Sequence, residues 1–438
     1  MRSPIPGTFG LALFVLAAGP ARAAAQGSHA FVDVNVVPMD MERVLEHHTV
    51  LVTEGKIVQL GPAAEIAVPQ SVTQIDGRGK YLMPGLAEMH GHLPAEAGEF
   101  RDNVLFLYVA NGVTTVRGMQ GAIGQLAARD EIKRLELLGP RLYVSSPAMS
   151  GNRVTSAGDA AGLVREYHAE GYDHVKVHEG LSRWVYMSIA RTAREVGIDF
   201  AGHITDQLDA FEAMAAGQAS IDHMDNMLET IDGDESRFPD LVKAVVEHGT
   251  GVVPTEVLWE TAFLAPPPSA QLLAERTEVR YMPPEWRERW TRSIDSRRAN
   301  MSEADFEEGR AVIVKRRRLL EALYDGGALV LLGTDSPQIF SVPGFSIHRE
   351  MQVMVEAGLT PYEVLVTGTR NIARYFATSE TEGTIAVGKR ADLILVEGNP
   401  LGNIANVARR AGVMVNGRWI GEGEIRERLA EIARAYAN

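Results

Sequence analysis

The sequence predicts an α/β fold: a (β/α)8 TIM barrel carrying a small composite β-sandwich domain built from both chain ends. Three observations lead there. Short strand-like runs crowd residues 30–80 and return near the C-terminus. Between them, strand-length and helix-length runs alternate, which is the mark of βα units and a parallel sheet. Eight such units can be counted, and eight close naturally into a barrel. The 438 residues suffice for a barrel plus a smaller domain.

The chain opens with Arg2, a mostly apolar stretch from Gly10 to Ala21, and two small-residue cleavage sites, Ala21-Arg22-Ala23 and Ala23-Ala24-Ala25. This is the layout of a secretory signal. The apolar stretch is 12 residues, against the ~20 needed to span a bilayer. Residues 1–25 are therefore expected to be a signal peptide, and the mature protein to be exported, periplasmic or secreted, with no membrane association after cleavage.

Next come Phe31–Val37, Thr49–Val52 and Lys56–Leu60, separated by turn residues such as Glu54-Gly55 and Asp76-Gly77. They place residues 26–82 in the β domain, completed by 380–425. Barrel strands are expected at 82–92, 113–118, 141–147, 173–178, 198–203, 219–224, 250–256 and 328–334, within a barrel spanning 83–379. Helices fall between them, for example 181–196, where Leu181, Val185, Ile189 and Val196 recur with helical period, and 302–325. One unit is oversized. The insertion 257–305 carries Pro266-Pro267-Pro268, Trp259, Trp286 and Trp290, and reads as a lid, a helical insertion or an oligomer contact. The basic run Lys315 to Arg318 reads as the solvated face of a helix. Ala391–Val396 and Val413–Ile420 restore the β pattern, and 426–438 closes the chain as a helix.

Composition narrows the function. Hydrophobic content of 45% and charged content of 23% are ordinary for a globular protein. Cleavage after Ala25 would remove Arg2 and Arg22 and no acid, taking the formal charge from −14 to −16. So acidic a chain repels nucleic acid and anionic lipid, so neither is an expected partner. There is no cysteine, which excludes disulfides, a thiolate nucleophile and a cysteine metal site. Stability must come from the core, from metal and from subunit contacts, and a homo-oligomer is expected.

The chemistry gathers at strand ends. His90 and His92 sit two apart in a strand-like run, so both imidazoles point to one face and can reach one metal ion. Lys176 lies inside the apolar fourth strand, where a cation is costly unless something uses its charge or removes it. His203 ends the fifth strand, His223 the sixth and Asp335 the eighth. Singly, each has an ordinary reading: a hydrogen-bonded structural histidine, an ion-paired lysine, a helix N-cap. Together they occupy the C-terminal ends of barrel strands, where active sites of this architecture form. His178 shares the face of Lys176 and is a candidate to donate to a substrate. Arg117 is a candidate for a substrate carboxylate, with a structural ion pair as the alternative. Tyr143, Trp184 and Trp259 are candidates to line the pocket.

The ordered set His90, His92, Lys176, His203, His223 and Asp335 resembles that of the amidohydrolase superfamily. The resemblance runs from about residue 30 to 425 and includes Val50–Gly61, Gly112–Arg117 and Gly383–Val396. Within the superfamily it is most similar to the imidazolonepropionase-related, prolidase-like branch, although Gly118 follows Arg117 where an Asp is common. The resemblance implies a two-metal centre with Lys176 carboxylated to N6-carboxylysine. His90, His92 and Asp335 would hold one ion and His203 and His223 the other, with Lys176 shared. Nitrogen and oxygen donors suit Zn²⁺, with Mn²⁺, Co²⁺ or Fe²⁺ as alternatives. The implied activity is hydrolysis of an amide C–N bond by a metal-bridging hydroxide, with Asp335 moving the proton. A dipeptide of prolidase type or an N-acyl amino acid is the first substrate reading. A cyclic amide, lactone, carbamate or xenobiotic is the second. A non-hydrolytic metal barrel, acting as a lyase, isomerase or binding protein, is the reading from another class.

Overall fold

The computed structural model describes residues 27–437, so the expected signal peptide 1–25 lies outside the described residues. Among the described residues no helix is long and apolar enough to cross a membrane.

Five strands come first: β1 (His29–Val36), β2 (Leu45–Thr53), β3 (Lys56–Pro62), β4 (Thr73–Asp76) and β5 (Tyr81–Pro84). Eight barrel strands follow: β6 (Leu86–Gly91), β7 (Val113–Gly118), β8 (Arg141–Val144), β9 (His174–Val177), β10 (Asp199–Gly202), β11 (Ser220–Asp222), β12 (Gly251–Val253) and β13 (Leu329–Val330). The chain then returns through β14 (Leu393–Val396), β15 (Arg410–Val415) and β16 (Arg418–Gly421). It ends in the helix Glu422–Ala435, which starts a turn earlier than its sequence pattern suggested.

Both chain ends meet as expected, but as one mixed sheet rather than a sandwich of two. Its order is β16-β15-β14-β5-β1-β2-β3, with β4 also on β1. The reason is β1, which serves two parallel partners in succession: β4 along His29–Val32 and β5 at Asn35–Val36. A register shift between Phe31 and Val34, with Asp33 at φ 54°, separates the two halves. One apolar cluster, including Phe31, Val50, Ile57, Leu82, Leu395 and Met414, serves the whole sheet.

The barrel strands are parallel and lie in two arcs, β6-β7-β8 and β9-β10-β11-β12-β13. Hydrogen bonds join the arcs at both seams. At one, Ser146 N–H donates to His174 O (2.8 Å) and Met149 N–H to Lys176 O (2.9 Å). At the other, Met89 N–H donates to Leu332 O (2.9 Å) and His92 N–H to Ser336 O (2.8 Å). The fold is TIM-barrel-like, with strands such as β6 and β9 buried throughout, as parallel strands covered by helices must be. Helices obey their local signals. Ser182 caps Arg183–Val196, and Gly197, at φ 77°, stops it in the left-handed region. The eighth strand, expected over 328–334, keeps a regular ladder only at Leu329–Val330. Beyond it the chain runs on irregularly between β12 and β6.

The expected strand 82–92 is in fact two strands in two different sheets. Tyr81–Pro84 belongs to the mixed sheet and Leu86–Gly91 to the barrel. Gly85 is the joint, and an added Cβ there would stand 2.1 Å from Thr114 Oγ1 and 2.5 Å from its Cγ2. Thr114 is buried, so the clash has little room to relax. Gly85→Ala is expected to destabilise the protein by about 1–3 kcal/mol. A lowered urea midpoint at constant slope is the measurement that checks it.

Candidate metal centre

His90 is on β6, Lys176 on β9, and His92, His178, His203 and His223 are each the first residue past β6, β9, β10 and β11. Asp335 ends the irregular continuation of β13. These seven line one cavity of about 420 Å³ together with Trp259, Phe263 and Leu258. The parallel strands all end on this side, so side chains far apart in sequence converge.

The imidazoles form a chain of close rings. Centroids are 4.5 Å apart for His90–His223, 4.6 Å for His203–His223 and 4.3 Å for His178–His203. Asp335 sits among them: Oδ1 is 2.9 Å from His92 Nε2 and 3.7 Å from His90 Nε2, and Oδ2 is 3.8 Å from His223 Nε2. One donor atom from each of His90, His92 and Asp335 falls within 4.8 Å of the others. Lys176 Nζ is 3.5 Å from His90 Nε2.

Electrostatics keeps these groups in ligand form. Burial, reinforced by Lys176, holds His90 well below the ordinary imidazole range. Burial and then the neighbouring His90 and His203 do the same for His223. Both are neutral at pH 7, with a lone pair free. Burial alone would raise Asp335, but His92, His90 and Lys176 outweigh it and hold the carboxylate well below its usual range. Burial lowers Lys176 towards the free amine. Burial, then His203, brings His178 down to about 4. Its Nδ1 accepts from Glu179 N–H at 2.9 Å, so the neutral ring carries its proton on Nε2.

A second layer aims the rings. Asp225 Oδ2 is 2.6 Å from His203 Nδ1, and Thr255 Oγ1 is 2.8 Å from His223 Nδ1. Asp222 Oδ2 lies 2.9 Å from His90 Nδ1, off the line of a hydrogen bond. In each case the Nδ1 contact leaves Nε2 for the cavity, as metal-ligating histidines require. Buried Glu88 accepts from His90 N–H (2.9 Å) and Thr334 N–H (2.8 Å), tying β6 to the segment that carries Asp335. His223 and Asp335 both have φ near +60°, strained for residues other than glycine and typical of sites where side chains must be aimed. The donor set, the neutral rings of His90 and His223, and the buried Asp335 Oδ1, which makes no hydrogen bond, fit a divalent cation held by nitrogen and oxygen.

Three expectations change. Arg117 does not reach the cavity. It is fully buried in the barrel, where its Nε donates to Met89 O (2.6 Å), Nη1 to Ser220 Oγ and Tyr375 OH, and Nη2 to Asp222 Oδ1 (2.9 Å). All three guanidinium nitrogens donate within the chain and none faces the cavity, so it is a structural ion pair rather than a substrate carboxylate site. Tyr143 also points elsewhere, stacked on Phe376 with centroids 3.6 Å apart. Trp184 is 79% exposed on the outer face of its helix. Trp259 does line the cavity, from a π-helical turn Trp259–Leu264 that opens the insertion.

The basic run also divides. Arg318 is exposed, but Arg316 is buried, with Nη2 donating to Glu256 (2.7 Å) and to His223 O (2.7 Å). Sequence reasoning missed Arg316, Glu88, Asp222, Asp225 and Thr255. Only Asp222 and Asp225, flanking His223, carried a local signal.

Comparison with known proteins follows the geometry. The chain matches the Amidohydrolase family over residues 81–420. Among solved structures it is similar to a bottromycin amidohydrolase, with a TM-score of 0.75, 22% identity, and 93% of this chain and 90% of that chain covered. A Xaa-Pro dipeptidase gives a TM-score of 0.68 at 17% identity, over 90% of this chain and 100% of that chain. Among curated proteins, an imidazolonepropionase from Stenotrophomonas maltophilia is 30% identical over 115 residues, 24% of this chain and 28% of that enzyme.

Asp225→Ala is expected to weaken metal binding about 10–100-fold, because His203 loses the partner that orients it. Competition titration with a chromogenic chelator measures this, and unchanged affinity would remove Asp225 from the site.

Proposed function

Since the chain belongs to the amidohydrolase family, we propose that it is an exported, metal-dependent hydrolase that cleaves the amide C–N bond of a small molecule, a dipeptide of prolidase type or an N-acyl amino acid. The observation that carries the reading is the convergence of His90, His92, Lys176, His203, His223 and Asp335 on one cavity.

Two divalent ions, with zinc favoured by the donor set, would supply an activated water and a polarised carbonyl. His90, His92 and Asp335 are compact enough to hold one of them. His203 and His223 offer only two donors to the other, and a shared oxygen ligand from Lys176 would complete both sets. Carboxylation provides it: the free amine of Lys176 adds to CO₂, an N–C bond forms and one proton leaves to solvent. The lowered pKa of Lys176 and the absence of any carboxylate at ion-pair distance among the described residues support that step.

The remaining roles belong to the chain itself. Asp335 takes a proton from the attacking water and returns it to the leaving nitrogen, so water and amide become acid and amine. His178, with its proton on Nε2, donates to the substrate carbonyl oxygen as negative charge develops there. Leu258, Trp259 and Phe263 form an apolar wall that orients the acyl part and limits bulk water.

Chelator treatment should abolish cleavage of Xaa-Pro dipeptides or N-acyl amino acids, and two metal equivalents should restore it. His90→Ala should bring turnover to background. No hydrolysis of any amide or ester by fully metal-loaded protein would overturn the proposal.

Lys176→Ala should lose metal, and formate or acetate should restore part of both metal content and activity. Full metal retention without added carboxylate would refute the carboxylated lysine.

A further inference from the structure

Away from the metal centre, a second cavity of about 500 Å³ lies between the C-terminal helix Glu422–Ala435, the 3-10 turn Thr277–Tyr281 of the insertion, and the start of β15. It shares no lining residue with the metal cavity. Four arginines line it, Arg280, Arg410, Arg426 and Arg434, against one carboxylate, Glu422. That is a strong local excess of positive charge in a chain of net −14.

Arg410 is the anomaly. Its Nη1 donates to Nε2 of His348 at 2.9 Å, while its Nε is buried without any hydrogen-bond partner. No carboxylate of the described residues pairs with it, and burial pulls its pKa down to about 10. His348 is held neutral by burial and by Arg410 and Arg349. With Nε2 accepting from Arg410, its proton sits on Nδ1, which is also buried and unpartnered. Arg410 therefore brings one unpartnered donor to the wall of a cationic cavity, and the residue it bonds, His348, carries a second. A buried donor without an acceptor is costly, and an anion beside Arg410 would offset that cost.

The rim adds to the case. Arg280 donates to Tyr281 OH at 2.8 Å and lies over its ring, and Arg426 reaches Glu422 only at 3.7 Å. Arg280 and Arg434 have no carboxylate at ion-pair distance among the described residues. The helix side of the cavity is apolar, from Ile425, Leu429, Ala430 and Ala433. A charged end beside an apolar wall, at a volume typical of small-molecule sites, defines the ligand by its chemistry. We propose that this cavity is a binding site for a small amphipathic organic anion, whose carboxylate or phosphate is held by Arg410, Arg280 and Arg434 and whose hydrocarbon part lies along the C-terminal helix.

The test is calorimetric titration of the full, metal-loaded protein with octanoate, octyl phosphate and 1-octanol. One of the two anions is expected to bind saturably at one per chain, and the stronger identifies the headgroup. 1-Octanol should bind at least tenfold more weakly. Arg410→Met should lower anion affinity at least tenfold. If that variant does not fold, the surface pair Arg280→Ala and Arg434→Ala should lower it severalfold while leaving turnover unchanged. Saturable binding by neither anion, equal binding of 1-octanol, or affinity untouched by the arginine substitutions would overturn the site. So would affinity lost in His90→Ala but kept in the arginine variants, which would put the ligand at the metal centre.

Discussion

The guanidinium of Arg117 is the contact on which the rest of the molecule depends. It is fully buried and joins four elements at the barrel interior: β7, from which it comes, β6 through Met89 O, β11 through Ser220 and Asp222, and the post-barrel segment through Tyr375. β6 and β7 belong to one arc and β11 to the other, so this one side chain spans the two halves. A buried charge is tolerable only when paired and hydrogen-bonded. That requirement fixes Asp222, whose second oxygen stands beside His90. The packing constraint of the barrel and the aim of the His90 imidazole into the cavity are thus one problem with one solution.

Above that pair, the site is built from groups denied their usual charge state. Burial keeps His90 and His223 neutral and lowers Lys176, while His92 first, with His90 and Lys176, holds Asp335 ionised against its own burial. A cluster of largely buried lone pairs and one carboxylate is costly alone and favourable around a cation. The strained backbone at His223 and Asp335 belongs to the same arrangement, because strand ends must turn sharply for their side chains to meet.

The insertion links this chemistry to the outside of the barrel. Its first turn places Trp259 and Phe263 on the cavity, and Arg316 braces it by bonding both Glu256 and the carbonyl of His223. Buried Glu350 accepts from the amides of Glu256 and Val257 at 2.9 and 2.8 Å. The apolar wall is therefore anchored to the strand end that carries His223 rather than resting on the surface, and the insertion's further turns reach the arginine-lined cavity under the C-terminal helix.

By itself the sequence determined the alternation of strands and helices, the return of the chain to its first sheet, and the six strand-end residues. Each rests on local rules: period, turn chemistry, and the cost of a lysine or histidine in an apolar strand. Only the tertiary structure decided what depends on partners distant in the chain. Gly85 reads as part of a continuous strand, yet neighbours on either side assign Pro84 and Leu86 to different sheets. β1 reads as half of a sandwich, but two parallel partners in succession make it the hinge of a single sheet. Arg117 stays open between a substrate carboxylate and a structural ion pair, and Arg316 looks solvated, because a charge in sequence carries no record of its counter-ion. Their carboxylates, Asp222 and Glu256, are 105 and 60 residues away, and burial, which sets the state of His90, His223 and Lys176, exists only once those distant segments have packed.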